Sequence, residues 1–223
     1  MGIACKRRMP HLIIVHNTTT PMFTTENFAD FVVATEWGYG KWTDQGLDLQ
    51  DLPLEWSLVG AVPRGVISYG VLDAKAPRRL HRLFALHALL SGVTPWPASE
   101  ETVALVPLLK PLGDLDSYRF ADWRNQAIRL SHPHCASAVY SRPDEAYLLL
   151  VNLDPSPHEV TCVLHPGKLP CPIQPTVATV LGRSDPTASS QEPGNPSSLN
   201  VGQLLDGLTM VIPGDSVILV RIR

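Results

Sequence analysis

The sequence predicts an α/β segment over residues 1–130, built from about four strand–helix units, and an all-β segment over residues 131–223. Three observations carry that division. Before residue 130, short apolar runs rich in β-branched residues alternate with stretches of helical period. After it, two-residue alternation takes over, and Pro, Gly and Ser mark turns at regular intervals. Proline outnumbers glycine, 21 to 15, which favours turns and edge strands over a helical bundle.

Four runs read as strands in the first segment: Leu12–His16, Phe31–Thr35, Val66–Val71 and, more weakly, Val93–Trp96. The first three are nearly continuous in apolar residues, as strands covered on both faces are. Between the third and fourth, Leu80, Leu83, Phe84, His87 and Leu90 fall on one helical stripe from about Pro77 to Ser91. Pro77 suits the first helical turn and Gly92 the position just past the end. Ser99 is placed to cap another helix, with Glu100 and Glu101 where the dipole favours acid. Leu52–Val62 and the shorter Thr24–Asp30 are further helical candidates, and Asp114–Leu130 reads as partly helical around Trp123. Strand–helix alternation is the pattern of a parallel sheet with right-handed crossovers. Four such units make half of an eight-stranded (β/α)8 barrel. The rival is a small doubly wound sheet, which usually carries a Gly-rich phosphate turn after its first strand. Here that strand runs into Asn17-Thr18-Thr19-Thr20-Pro21, without glycine, so the partial barrel is favoured. Half a barrel leaves two long parallel edges to be covered.

In the second segment, Ala136–Ser141 and Ala146–Leu153 are strands joined by the turn Arg142-Pro143-Asp144-Glu145. His158–Leu164, Thr176–Leu181, Leu208–Ile212 and Ser216–Ile222 come next, the last two joined by Pro213-Gly214-Asp215. Short, evenly spaced strands predict an antiparallel β-sandwich without a long helix. Ser184–Ser198 is polar and proline-rich, a long surface loop or a disordered stretch.

Composition excludes several functions. A formal net charge of -3, from 18 Lys+Arg against 21 Asp+Glu, argues against a general nucleic-acid binder. The basic residues Lys6, Arg7 and Arg8 are not followed by the apolar run of a signal peptide, and no run approaches a membrane span. The expectation is a soluble chain, cytoplasmic by default, with no membrane partner. The cysteines are Cys5, Cys135, Cys162 and Cys171. A zinc set of Cys135, Cys162, His165 and Cys171 matches no common ligand spacing, so unpaired thiols are the favoured reading. No metal or cofactor is expected.

In barrels, working groups sit at the C-terminal ends of the strands. The readable ends are Asn17, Glu36–Trp37, Asp73 and Trp96. The second is the richest: Glu36-Trp37-Gly38-Tyr39-Gly40-Lys41-Trp42-Thr43-Asp44 joins carboxylates to three aromatics. Aromatic plates cover the C–H faces of sugar rings, and carboxylates accept from sugar hydroxyls. Glu36 and Asp73 are therefore the catalytic candidates. Neighbouring strands lie about 4.8 Å apart, compatible with the roughly 5–9.5 Å between glycosidase carboxylates. Asn17, Trp37, Tyr39, Trp42 and Asp44 are the substrate-binding candidates, with His16 beside Asn17. The competing structural roles are ion pairs, Glu36 with Lys41 and Asp73 with Lys75 or Arg78. His87 reads as a core histidine. Asp44 and Asp48 lack the spacing of a calcium loop.

Three stretches carry a likeness of pattern: Ala85-Leu86-His87-Ala88-Leu89-Leu90-Ser91-Gly92-Val93-Thr94-Pro95-Trp96, Ala146-Tyr147-Leu148-Leu149-Leu150-Val151-Asn152-Leu153, and Ile212-Pro213-Gly214-Asp215-Ser216-Val217-Ile218-Leu219-Val220. They look like the last helix and strand of a barrel, the central strand of a sandwich and its closing hairpin. Together they resemble the C-terminal portion of glycoside-hydrolase-type proteins of the α-galactosidase-like and amylase-like kinds, in which a (β/α)8 barrel precedes a β-sandwich. No family motif is matched residue for residue, so no catalytic residue follows from it. The resemblance implies part of a carbohydrate-active enzyme that hydrolyses glycosidic bonds, its catalytic machinery incomplete in this chain. The alternatives are a non-catalytic carbohydrate-binding or assembly module, or an inactive fragment. A full barrel takes about 250 residues. On this reading either Met1 is not the true start, or a missing barrel half or self-association supplies the first strands.

Overall fold

The computed structural model describes residues 14–16, 31–37, 67–72, 76–92, 94–95, 99–113, 115–184 and 197–223, the strands before residue 99 as backbone. The first four strands are β1 (Ile14–His16), β2 (Phe31–Trp37), β3 (Ile67–Leu72) and β4 (Thr94–Pro95). They form one sheet in the order β1-β2-β3-β4, every neighbouring pair parallel. β2 runs two residues beyond the expected end at Thr35, carrying Glu36 and Trp37 into the ladder. The candidate helices Thr24–Asp30 and Leu52–Val62 lie outside the described residues, as does most of the loop expected over Ser184–Ser198.

The remaining strands are β5 (Arg119–Ala121), β6 (Ile128–Leu130), β7 (Cys135–Arg142), β8 (Glu145–Asn152), β9 (His158–Leu164), β10 (Ala178–Ser184), β11 (Ser197–Leu199), β12 (Leu208–Ile212) and β13 (Ser216–Ile222). They build two antiparallel sheets, one ordered β11-β10-β13-β8-β7-β5, the other β12-β9-β6. Sheets dominate, and the helices among the described residues are few and mostly short.

The six-stranded sheet is buried on both faces. Val139, Leu148, Leu150, Ile218 and Val220 share a core with Val160, Cys162, Leu164 and Ile212 of the three-stranded sheet. On the opposite face Ala138, Tyr140, Tyr147, Leu149, Val151 and Leu219 pack against helix α1 (Arg78–Leu90) through Leu83, Phe84, Leu86, Leu89 and Leu90. Every residue of β8 is buried, which explains the unbroken Leu148-Leu149-Leu150-Val151 run. Each such leucine contributes about 1.5–3 kcal/mol.

Helix α1 starts after Pro77, whose φ of -55° already suits the helix. It stops at Ser91, and Gly92 turns the chain at φ +69° with the Phe120 ring 2.8 Å from the place of a Cβ. The expected single apolar stripe is too narrow. Residues His81 to Leu90 are all buried, because α1 touches β3, β4, β7 and β8 as well as the short helix α2 (Glu100–Val103). The Ser99 hydroxyl caps α2 by accepting from the Thr102 N–H. Helix α3 (Val106–Leu109) comes next.

Arginines on α1 fix it to the sheets. Arg79 donates to both carboxylate oxygens of Asp215, at 2.8 and 3.2 Å. Arg82, only 2% exposed, donates to the Asp215 and Ser184 carbonyls. Hydrogen bonds to an ionised partner are the stronger kind.

The structure differs from the expectation in several details. In the stretch expected to be partly helical around Trp123, the helix is only the 3-10 turn Trp123–Asn125; another 3-10 turn at Leu115–Ser117 and the strands β5 and β6 flank it. β5 and β6 precede residue 131 yet pair with β7 and β9. Pro213-Gly214-Asp215 closes no hairpin: β12 and β13 lie in different sheets, so the turn crosses the core. The six-residue helix α4 (Val201–Asp206), capped by the Asn200 side chain, stands where only strands were expected.

Candidate functional site

Parallel pairing sends the C-terminal ends of β1 to β4 to one edge of their sheet. His16, Val33, Tyr69 and Thr94 form one row across it. β1 stops at that row and β4 goes one residue further, to Pro95. β2 and β3 continue as a pair through Thr35↔Gly70, Glu36↔Val71 and Trp37↔Leu72. At about 3.3 Å per residue, Glu36 sits roughly 7 Å past the row, where β2 and β3 are still paired. The register shifts between Val33 and Thr35, so β2 holds one extra residue, Ala34, against β3. A bulge of this kind bends its strand.

Of the predicted site residues, Glu36 and Trp37 are thus placed at the C-terminal end of β2. Asn17, Tyr39, Trp42, Asp44 and Asp73 lie outside the described residues, as do Asp48 and Trp96. His16 is the last residue of β1. His87 is buried within α1, 3% exposed. The bulge had no signal in the sequence, because register belongs to a pair of strands and not to either alone.

Two buried polar residues away from this edge, Glu145 and Asn152, are tied into the framework. The Glu145 carboxylate, 3% exposed, accepts from the Tyr118 hydroxyl at 2.8 Å and from Arg223 Nε at 3.1 Å, and pairs with Arg142 at 2.6 Å. Asn152 is fully buried; its amide donates to the Ser156, Ile212 and Pro213 carbonyls, and its oxygen accepts from the Asp154 N–H. These contacts join strand ends and loops. Cys135, Cys162 and Cys171 are free thiols. Burial pushes Cys135 up to about 12 and Cys162 up to about 11, which makes both poor metal ligands and nucleophiles. Among the described residues no three His, Cys, Asp or Glu side chains converge as a metal site requires, and no helix is long and apolar enough to cross a membrane.

No protein-family model matches the chain, and no curated protein sequence matches it. Solved structures do. The α-amylase of Geobacillus thermoleovorans, solved with acarbose, superposes with a TM-score of 0.57 at 12% identity, covering 100% of this chain and 56% of the enzyme. The noncanonical maltogenic α-amylase of Thermotoga neapolitana gives a TM-score of 0.56 at 11% identity, covering 100% of this chain and 58% of the enzyme. The chain thus spans little more than half the length of the enzymes it matches. Its fold is glycoside-hydrolase-like.

Proposed function

We propose that the chain is the C-terminal part of a carbohydrate-active enzyme that cleaves glycosidic bonds, a partial (β/α)8 barrel followed by a β-sandwich. The observation that supports this best is the sheet order: four strands, parallel and in sequence order, with Glu36 and Trp37 last in β2, the end at which barrel enzymes keep their working groups. The α-amylase-like fold of the whole chain points the same way. Asp73 follows Leu72 in the sequence, and Leu72 pairs with Trp37. In this reading Glu36 and Asp73 are the carboxylates, and Asn17, Trp37, Tyr39, Trp42 and Asp44 bind sugar. The carboxyl oxygens serve as proton acceptor and donor at the glycosidic oxygen and the attacking water. Trp37 supplies an apolar plate for a ring face. The upstream strands come from a further polypeptide segment or a second copy.

A non-catalytic carbohydrate-binding module is the second reading, favoured by the span of 56–58% of the amylases. Acarbose, the ligand of one of those structures, is a direct probe. Tryptophan fluorescence should change on its addition, and Trp37→Ala should weaken binding at least tenfold. Release of reducing sugar from maltooligosaccharides, abolished in Glu36→Gln, selects the enzyme; binding without release selects the module. A glycan array on which neither this chain nor a longer form binds any glycan overturns both.

A further inference from the structure

Three histidines meet at one corner of the antiparallel sheets, far in sequence from the proposed sugar site and independent of it. His132 and His134 lie in the turn between β6 and β7, and His158 opens β9. The His132 and His158 rings stack with centroids 3.6 Å apart and planes 20° from parallel; His134 is 5.6 Å from His132. Asp154, in the β8–β9 loop, puts Oδ1 3.5 Å from His158 Nε2. The corner is a structural joint. The Cys135 N–H donates to the His132 carbonyl, the Leu153 N–H to the His134 carbonyl and the Ser131 N–H to the Thr161 carbonyl, so the turn ties both sheets together.

We propose that the His132–His158 stack is a proton-operated latch, which holds the 131–134 turn closed while the pair carries at most one charge and releases it when both rings are protonated. The argument is Coulombic. With both rings charged, two positive charges would face each other across the 3.6 Å stack, with His134 as a further titratable neighbour and Asp154 at the His158 side. Like charges at this separation oppose one another strongly. Burial, then His158 and His134, hold His132 below the ordinary histidine range, with Asp154 the weaker opposing influence. The Cys135 thiol beneath the turn stays neutral throughout.

A histidine held low binds its proton more readily in the open state. The latch is therefore closed at neutral pH and weakens as pH falls through the ordinary histidine range of about 6.5. Hydrogen exchange on the intact chain reads the joint directly. Protection of the Cys135, Leu153 and Ser131 amides, corrected for intrinsic rates, should fall about tenfold or more from pH 7.5 to pH 5. In His132→Phe, which keeps an aromatic stack without a titrating nitrogen, the fall should be under about twofold, because the second charge cannot form. His158→Phe should flatten the response in the same way, and a folded result from either variant decides. An unchanged fall in these variants, or no pH response in the parent, overturns the latch.

Discussion

Gly214→Ala tests the crossing turn between the two sheets with a single methyl group. A Cβ at this position would lie 1.9 Å from the Pro155 carbonyl oxygen, 2.3 Å from its carbon and 3.0 Å from the Ser156 nitrogen. All are backbone atoms, so no side chain can swing aside. Restoring even 3.0 Å to the oxygen needs a movement of about 1 Å, and overpacking of this kind costs about 1–3 kcal/mol or more. The movement also stretches bonds that bind the two loops: Asp215 N–H to the Asp154 carbonyl at 2.8 Å and Asn152 Nδ2 to the Pro213 carbonyl at 3.1 Å. Each is worth about 1 kcal/mol net. The combined loss is about 3–5 kcal/mol, or roughly 10 °C in Tm for a chain of this size. Differential scanning calorimetry measures it. Gly167→Ala is the matched control, since nothing lies within 4 Å of its Cβ position, and should melt like the parent. A Gly214→Ala Tm within about 2 °C of the parent would refute the reasoning.

Glu145→Ala strands Tyr118, Arg142 and Arg223 at once, and the exposure of the arginines tempers the loss to about 1–3 kcal/mol; Tyr118→Phe should cost about 1 kcal/mol, both read from urea midpoints. Native-state thiol labelling at pH 8, followed by peptide mass spectrometry, should modify Cys171 well before Cys135 and Cys162, because burial holds those two protonated; equal rates would contradict the packing. The Ser156 N–H, and after it His158 and His134, hold Asp154 below the usual carboxylate range. Its contribution is present above about pH 4 and is lost as pH falls through the lowered value. Asp154→Asn should therefore flatten the acid limb of the stability curve below about pH 4, and an unaltered limb counts against the assignment.

The legible parts of the fold are those set by local forces. Ile14-Val15, Val32-Val33 and the Leu148–Val151 run announce strands because β-branched and continuous apolar residues have few other places to go. Pro77, Gly92 and Ser99 announce helix ends through their own backbone chemistry. Where the determinant was a distant partner, the reading failed. Arg119–Ala121 and Ile128–Leu130 are strands only because β7 and β9 offer free edges, and three residues carry no period. Pro213-Gly214-Asp215 has hairpin chemistry, yet Gly214 is there for the close approach of Pro155. At the proposed site, the residue types of Glu36 and Trp37 were legible, whereas their register against Val71 and Leu72 comes from the β2–β3 pairing and its bulge.

The position of β13 has a consequence for the order of synthesis. Residues 216–222 leave the ribosome after every other described strand, yet they form a middle rung of the six-stranded sheet, bonded to β10 on one side and β8 on the other. Until they arrive, β7–β8 and β10 have no common neighbour, and the apolar edge of β8 stands bare. The hydrophobic centre of this sheet is therefore completed only after its flanking strands have been made. A nascent chain stalled just short of Asp215 should bind trigger-factor-type chaperones persistently, and one extended past Arg223 and clear of the tunnel should release them.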